Sequence, residues 1–332
     1  MTGSNTDWID LPDEGVLAAR GPDARKFLNG QLSQQLLSLG AGETALAGLH
    51  NPQGRTLALL RIVADGPQDL LCVLPRSLLE GVLLQLRKYL LRSKVVLTDE
   101  TPLWRVQGRW PAPGAAAAEA PTPLHWQHTS DGRQMRLERR DTATESSTAD
   151  LASQDTSLEW GLEWPLGSAQ ASRRAAWQRA DIAAGVPRIH PPTQGEFVAQ
   201  MLNLDVLGGI SFNKGCYTGQ EVIARAHFRG RVKRRLQRFA VAATSEASGV
   251  GAAASTAADT TLAPGARVTL ADGRDAVVVD RAAAHEGQVE FLAVARYPVT
   301  GASDSPEAAS EPSSVRIDAV PLPLPYELPP AD

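Results

Sequence analysis

Cysteine is scarce in this chain, which has only Cys72 and Cys216 among its 332 residues. Two cysteines give no disulfide framework, so a reducing compartment is expected. They are too few for a four-cysteine iron–sulfur cluster, and no Cys/His cluster has the spacing of a zinc site. Cys72 lies in the apolar run 70–74, which is typical of a buried strand. Cys216 is therefore the cysteine to consider for chemistry.

Several other sequence signals are also missing. No run of about 20 apolar residues could span a membrane, and the first residues lack the basic and apolar regions of a signal peptide. There is no G-x-G-x-x-G after a strand and no P-loop, so binding of dinucleotides or nucleoside triphosphates has no support. With 43% hydrophobic and 21% charged residues, the composition is that of a soluble globular protein. A cytoplasmic protein is expected.

The order of predicted elements indicates an α+β fold. Strands at 44–50 and 56–64 flank the turn Asn51-Pro-Gln-Gly54, and helical spacing of leucines follows at 77–92. Strands and helices alternate irregularly, which argues against a doubly wound sheet. We predict three parts: an α+β subdomain at 1–105, a second one at 106–235, and a C-terminal β-barrel at 236–332. Low-complexity insertions are predicted at 111–123, 245–261 and 302–313.

The segment 213–221 reads Asn-Lys-Gly-Cys-Tyr-Thr-Gly-Gln-Glu and carries the clearest chemical signal. Thr218 and Glu221 have the spacing of a capping box, which predicts a helix beginning directly after Thr218. Cys216 would then lie two residues before the cap, near the positive end of the helix dipole. Lys214 adds a cation. These features favour the thiolate, the form that attacks as a nucleophile or binds a soft metal. The alternative is a small buried cysteine in a tight loop.

A basic run follows this segment, with seven cationic and no acidic side chains between 225 and 238 in a chain of net charge −4. Such a local excess suggests an anionic ligand or partner. Arg225 and Arg229 have i, i+4 spacing and could clamp the carboxylate tail of a cofactor. Nucleic acid is a second candidate, and a solvated basic face is a third. The seven residues are Arg225, Arg229, Arg231, Lys233, Arg234, Arg235 and Arg238.

Together these residues resemble the YgfZ family of folate-binding relatives of the glycine-cleavage T-protein, an aminomethyltransferase. The octapeptide Lys214-Gly-Cys-Tyr-Thr-Gly-Gln-Glu221 resembles the family signature, as do the flanking stretches 207–213 and 224–230. The resemblance extends over nearly the whole chain. Its further matches are 21–31, Asn51-Pro-Gln-Gly-Arg55, Gly185-Val-Pro187, Glu196-Phe197 and Pro321-Leu-Pro-Leu-Pro-Tyr326.

The resemblance implies a T-protein-like fold, in which α+β domains surround a central cavity that holds tetrahydrofolate and a C-terminal β-barrel follows. It implies a role in maintaining iron–sulfur enzymes, including the radical enzyme that thiomethylates tRNA. Cys216 would lie at the rim of the cavity. Trp177 would be a folate contact and Glu196 would bond the pterin amino group, whereas Trp177 alone could equally be a core aromatic residue. Tyr217 is predicted as a further folate contact.

The sequence departs from the T-protein pattern at two places. T-proteins have a pair of aspartates where this chain has Ala58 and Leu59, so the carboxylate that assists aminomethyl transfer is missing. T-proteins carry an acid where this chain has Cys216. The exchange of a carboxylate for a thiol favours sulfur chemistry, redox chemistry or metal binding. It argues against a standard aminomethyltransferase.

The leading hypothesis is a tetrahydrofolate-binding accessory protein for assembly or repair of iron–sulfur enzymes, with Cys216 as the reactive group and Lys214 beside it. Cys216 could transiently ligate iron, accept sulfur or accept a one-carbon unit. The expected partners are iron–sulfur enzymes or cluster carriers, with tRNA reached indirectly and no membrane. A folate-dependent one-carbon transferase and a tRNA-binding module that uses 225–238 are the two alternatives.

Overall fold

The computed structural model describes residues 8–110, 125–127, 132–140, 168–230, 232–243, 261–297 and 315–330. In this part of the chain, four α-helices accompany three β-sheets, which confirms the α+β fold class. The predicted insertions at 111–123 and 302–313, and all of 245–261 except its last residue, lie outside the described residues. No described helix is long and apolar enough to cross a membrane.

The α-helices are α1 (Ala24–Gln31), α2 (Arg76–Arg87), α3 (Ser168–Ala183) and α4 (Gln220–Phe228). The strands are β1 (Ile9–Asp10), β2 (Glu14–Arg20), β3 (Thr44–His50), β4 (Thr56–Asp65), β5 (Asp69–Pro75), β6 (Val96–Asp99), β7 (Trp104–Arg109), β8 (His125–Gln127), β9 (Gln134–Arg139), β10 (Arg234–Ala242), β11 (Arg267–Thr269), β12 (Asp275–Arg281), β13 (Gln288–Arg296), β14 (Val315–Arg316) and β15 (Val320–Leu322).

A five-stranded antiparallel sheet, in the order β3-β4-β5-β2-β6, forms the centre of the first half of the chain. Both of its faces are buried, and alternate residues of each strand enter different hydrophobic cores. On β5, Cys72 belongs to the first core, whereas Leu71 and Val73 belong to the second. Burial on both sides explains why this strand is apolar without alternation.

The first core lies on the side of the five-stranded sheet that carries α1 and α2. It continues into the segment 182–223 and one face of the C-terminal sheet, where Leu236 and Val294 contribute. The second core lies between the opposite side of the five-stranded sheet and a four-stranded sheet of order β1-β7-β9-β8. Trp177 of α3 is part of this second core.

The C-terminal sheet has six strands in the order β14-β11-β12-β13-β10-β15, and it corresponds to the β-barrel expected at 236–332. All its neighbouring strands are antiparallel except β11 and β14. The face that carries Phe239 and Phe291 buries a third core. The predicted division of the chain at residues 105 and 235 stays a prediction.

Helix α1 is shorter than its sequence pattern predicts. The sequence pattern of apolar residues from Phe27 to Leu39 predicts a helix with Asp23 as its N-cap, but α1 ends at Gln31. Leu32 instead forms a β-bridge with Leu49, and both Leu32 and Leu36 are fully buried in the first core. Tertiary contacts thus replace the last predicted turns of the helix.

Candidate functional site

Cys216 is exposed, and it lies in a loop of residues 211–219 that we term the motif loop. The helix that follows begins at Gln220, with Gly219 as its N-cap in a left-handed conformation (φ 81°) and no side-chain cap hydrogen bond. The predicted capping box of Thr218 and Glu221 is therefore wrong, and Cys216 lies three residues before the cap rather than two. The alternative of a buried cysteine is also wrong.

The reason for the left-handed Gly219 is a close approach of the turn at 51–54. A Cβ atom on Gly219 would lie 2.5 Å from the carbonyl oxygen of Asn51, so only glycine fits there. Gly54, with φ 72°, contacts Val222 of α4 in the same way, since its Cβ would lie 2.9 Å from the Val222 Cβ. The start of α4 is thereby packed on the turn between β3 and β4.

Lys214 fixes the motif loop to the C-terminal end of α1. Its ammonium donates to three backbone carbonyls, those of Asn29 (2.5 Å), Leu32 (2.6 Å) and Gln34 (2.9 Å). These carbonyls carry the negative end of the helix dipole or follow it directly. Burial lowers the pKa of Lys214 to about 8. All three ammonium protons are used, so Lys214 anchors the loop rather than standing free beside the thiol as the sequence suggested.

Tyr217 anchors the loop on the other side of Cys216. Its ring is 7% exposed and belongs to the first core, and burial raises the pKa of its phenol to about 12. The Lys214 Nζ lies 4.9 Å from the ring centroid, which is a cation–π distance. The two neighbours of the Gly215–Cys216 tip are thus held, while the tip itself stays in solvent.

Beneath Tyr217 lies the buried side chain of His50, at the end of β3. The two ring centroids are 6.4 Å apart, and His50 is 1% exposed. Its Nδ1 is 3.3 Å from the Thr56 hydroxyl, whereas its Nε2 is buried and has no hydrogen-bond partner among the described residues. Because protonation would place an unbalanced charge in the core, burial lowers the pKa of His50 to about 3.

This lowered pKa predicts a loss of stability in mild acid. Above pH 6.5 both the folded and unfolded chains hold a neutral His50. Below that pH only the unfolded chain takes up the proton, so stability falls by about 1.4 kcal/mol per pH unit down to about pH 3. Urea unfolding at pH 7 and pH 5 should show that His50→Gln removes about 2 kcal/mol of this pH dependence. An unchanged pH dependence would mean that folded His50 titrates normally.

The basic run 225–238 is divided between surface and structural residues. Arg235 is 4% exposed and makes a bidentate ion pair with Asp205, at 2.8 Å for both bonds. Arg238 pairs with Glu290. These two cations therefore stabilise the fold and cannot meet a ligand. Arg231 lies outside the described residues.

The predicted carboxylate clamp of Arg225 and Arg229 is not formed. Helix α4 ends at Phe228, so Arg229 is its C-cap (φ −138°) and no longer follows the helical spacing. Arg225 is exposed and pairs with Glu221 at 3.0 Å. The roles of Arg225 and Arg229 as folate contacts stay predictions. The carboxylate clamp required both side chains on one helix face, and they do not share one.

Three aromatic rings, one of them within the motif loop, form a partly exposed cluster that the sequence did not reveal. Phe212 and His227 are stacked, with centroids 3.8 Å apart and an interplanar angle of 16°. Phe228 meets both rings edge-on and is 68% exposed. We term these residues the aromatic platform. Phe212 precedes the motif, and the other two end α4, so only the folded loop brings them together.

Trp177 and Glu196, the other residues assigned to folate, already have protein partners. The Arg133 guanidinium lies 4.5 Å from the Trp177 ring centroid, and Trp110 packs edge-on at 5.4 Å. Trp177 is 3% exposed, so it offers no open face for a pterin. Glu196 pairs with Arg267 at 3.0 Å.

The residues assigned to tetrahydrofolate do not line one pocket in this structure. Trp177 lies in the second core and Tyr217 in the first, on opposite sides of the five-stranded sheet. A single ligand that touched both would have to cross that sheet. The set therefore does not fit tetrahydrofolate as a group, and each contact stays a prediction.

Two further observations limit the chemistry. Ala58 and Leu59, which replace the aspartate pair of T-proteins, are packed in the first core. Within the described ranges, no three side chains of His, Cys, Asp or Glu are grouped to hold a metal ion. Cys216 therefore offers a single open thiol, to which any further metal ligands would have to come from a partner.

Comparisons with known proteins agree with this architecture, although no family model matches the chain. The chain is 34% identical over 246 residues to the tRNA-modifying protein YgfZ of Enterobacter sp. (strain 638), covering 69% of this chain and 70% of that protein. It is 34% identical over 238 residues to the tRNA-modifying protein YgfZ of Cronobacter sakazakii (strain ATCC BAA-894), covering 69% of each.

A solved structure shows the same fold at low sequence identity. The aminomethyltransferase T of the glycine cleavage system from Bartonella henselae superposes with a TM-score of 0.57 and 12% identity. The superposition covers 87% of this chain and 78% of that protein. The T-protein-like fold expected from the sequence is confirmed.

Proposed function

The chain belongs to the YgfZ family, and on this premise we propose that it is an accessory protein in tRNA modification that acts through the exposed thiol of Cys216. The observation that carries the proposal is the presentation of this thiol. Lys214 and Tyr217 hold the motif loop on both sides, while Cys216 between them is in solvent. A thiolate reacts only where a partner can reach it.

The other cysteine, Cys72, lies in an environment that does not suit a reactive thiol, which supports Cys216 as the reactive group. Cys72 is fully buried in the first core, and burial raises the pKa of its thiol to about 12. Such a thiol is neither ionised nor accessible at neutral pH. Sulfur chemistry in this protein therefore falls to Cys216.

The partners that best suit a lone open thiol are iron–sulfur enzymes or cluster carriers. Thiolates are the preferred ligands of iron in clusters. One thiolate does not make a resident metal site, and the described residues add no ligand group around it. We therefore propose a transient role, in which the Cys216 thiolate is one ligand of an iron ion that the partner also ligates.

A one-carbon transferase is less well supported. The position at which T-proteins carry the assisting carboxylate holds Leu59, which is 7% exposed among apolar neighbours. Binding of tetrahydrofolate stays a prediction for this chain, and the proposed role of Cys216 does not depend on it.

The test is complementation of cells that lack their own copy of the gene. Thiomethylated tRNA nucleosides, measured by mass spectrometry, should be restored by the native chain and should stay near the level of the deletion strain with Cys216→Ser. The serine keeps the size and exposure of the side chain but binds iron and sulfur poorly.

Cys72→Ala is the matched control, because it removes the other cysteine and leaves the motif loop intact. It should restore the modification to nearly the native level when both proteins accumulate equally. Full restoration by Cys216→Ser at native protein levels would show that the thiol is not the reactive group.

A further inference from the structure

Two arginines face each other across a strand pair at one end of the C-terminal sheet. Arg234 of β10 and Arg296 of β13 are direct partners in the antiparallel register. Side chains at such positions have Cβ atoms about 5 Å apart, and like charges there destabilise a sheet. Lys233 adds a third cation next to them. None of the three side chains has an ion pair within the described segments. This repulsion would be relieved by an anion bound between them.

The same three cations line an open groove of about 300 Å³. Its floor is apolar, and its charged groups come only from Lys233, Arg234 and Arg296. We term it the basic groove. The apolar lining residues are Val198, Met201, Ala226 and Val232.

The aromatic platform and the basic groove share the last turn of α4. Ala226 lines the groove, and His227 and Phe228 follow it in the last turn of α4. Phe228 is 68% exposed although it is a large apolar ring. Arg229 follows directly and is exposed. The cations and the open ring therefore lie near the same end of α4, but Phe228, two residues after Ala226, projects from a different side of the helix. An occupant that meets both must extend round the end of α4.

An occupant of this surface must be anionic and must also have flat rings. A free phosphate would satisfy the arginines but would leave the platform unused. An acidic protein segment would supply charge without the planar groups that stack on Phe228. RNA supplies phosphates at regular spacing and unpaired bases that stack on aromatic side chains.

We propose that the basic groove and the aromatic platform form an RNA-binding surface. Arg234, Arg296 and Lys233 bind the phosphate backbone, and an unpaired base stacks on the exposed ring of Phe228. This inference deepens the proposed role in tRNA modification, because it places RNA beside the loop that carries Cys216.

Binding of a fluorescein-labelled tRNA stem-loop to the full chain, followed by anisotropy at about 50 mM and 200 mM salt, tests the proposal. Arg234→Gln with Arg296→Gln should weaken binding by about 10-fold or more at low salt and reduce the salt dependence by about two charges. Phe228→Ala should weaken binding by about 5- to 100-fold without changing the salt dependence.

A matched control removes two charges elsewhere. Lys88 and Arg316 are exposed, and Lys88→Gln with Arg316→Gln should leave the affinity within about twofold. Thermal melting separates binding from folding. Because Arg234→Gln with Arg296→Gln removes like-charge repulsion, its melting temperature without RNA should be equal to the native value or about 1–3 °C higher.

Equal losses in the groove variant and the control variant would overturn the proposal, since binding would then follow net charge alone. An unchanged affinity of Phe228→Ala, together with equal competition by inorganic phosphate, would identify a small-anion site instead. Cys216→Ser should bind the stem-loop as the native chain does. The RNA-binding surface and the proposed role of the thiol can therefore fail independently.

Discussion

Replacing Arg235 by methionine should lower the free energy of unfolding by about 3–5 kcal/mol, as expected when one partner of a buried ion pair is removed. Arg235 makes two 2.8 Å bonds to Asp205, and both side chains are largely buried. The substitution leaves the Asp205 carboxylate in the interior without its counter-ion. Urea unfolding monitored by circular dichroism gives the measurement.

Two variants make the result specific to the pair. Arg234→Met changes the neighbouring half-buried arginine, which has no ion pair among the described residues, and should alter the free energy of unfolding by no more than about 0.5 kcal/mol. Combining Arg235→Met with Asp205→Leu removes both charges and should recover most of the loss. A loss below about 1 kcal/mol for Arg235→Met alone would show that Asp205 reaches water or another cation.

Replacing Gly219 by alanine should lower the free energy of unfolding by about 2–3 kcal/mol. The left-handed conformation, at φ 81°, is unfavourable for alanine. The added Cβ would also lie 2.5 Å from the Asn51 carbonyl and 3.0 Å from the Gly54 Cα, both backbone atoms that cannot rotate away. The turn and the start of α4 must therefore separate, which displaces the motif loop.

Gly215→Ala is the matched control in the same loop. A Cβ at Gly215 meets nothing within 4 Å, and its φ is not positive. Its unfolding free energy should stay within about 0.5 kcal/mol of the native value. Similar losses for both alanines in urea unfolding would mean that the loop is sensitive to any added side chain, and that the contact with Asn51 is not the cause.

Strands bounded by clear turns could be predicted from the sequence to within a residue or two. The turn at Asn51–Gly54 fixes the ends of β3 and β4, because its residue types favour a turn and the apolar pattern resumes on both sides. The sequence pattern did not predict the strand β2. Its residues Glu14–Arg20 are buried on both faces, so no alternation of polar and apolar side chains marks it.

The position of the candidate site could be predicted from the sequence, but its geometry could not. Spacing identified the motif around Cys216, whereas the capping box failed because the turn at 51–54, remote in sequence, requires a left-handed Gly219. The basic run mixes surface arginines with buried, paired ones. Which arginines are free depends on Asp205 and Glu290, and no local pattern reports partners so far along the chain.

The three bonds of Lys214 also make the exposure of the thiol depend on distant parts of the chain. They join the motif to the end of α1, which is 185 positions earlier at Asn29. The end of α1 packs in the first core together with Tyr217 and residues of the C-terminal sheet. The loop conformation that exposes Cys216 therefore depends on segments from both ends of the chain, and loss of either segment should release the thiol from that conformation.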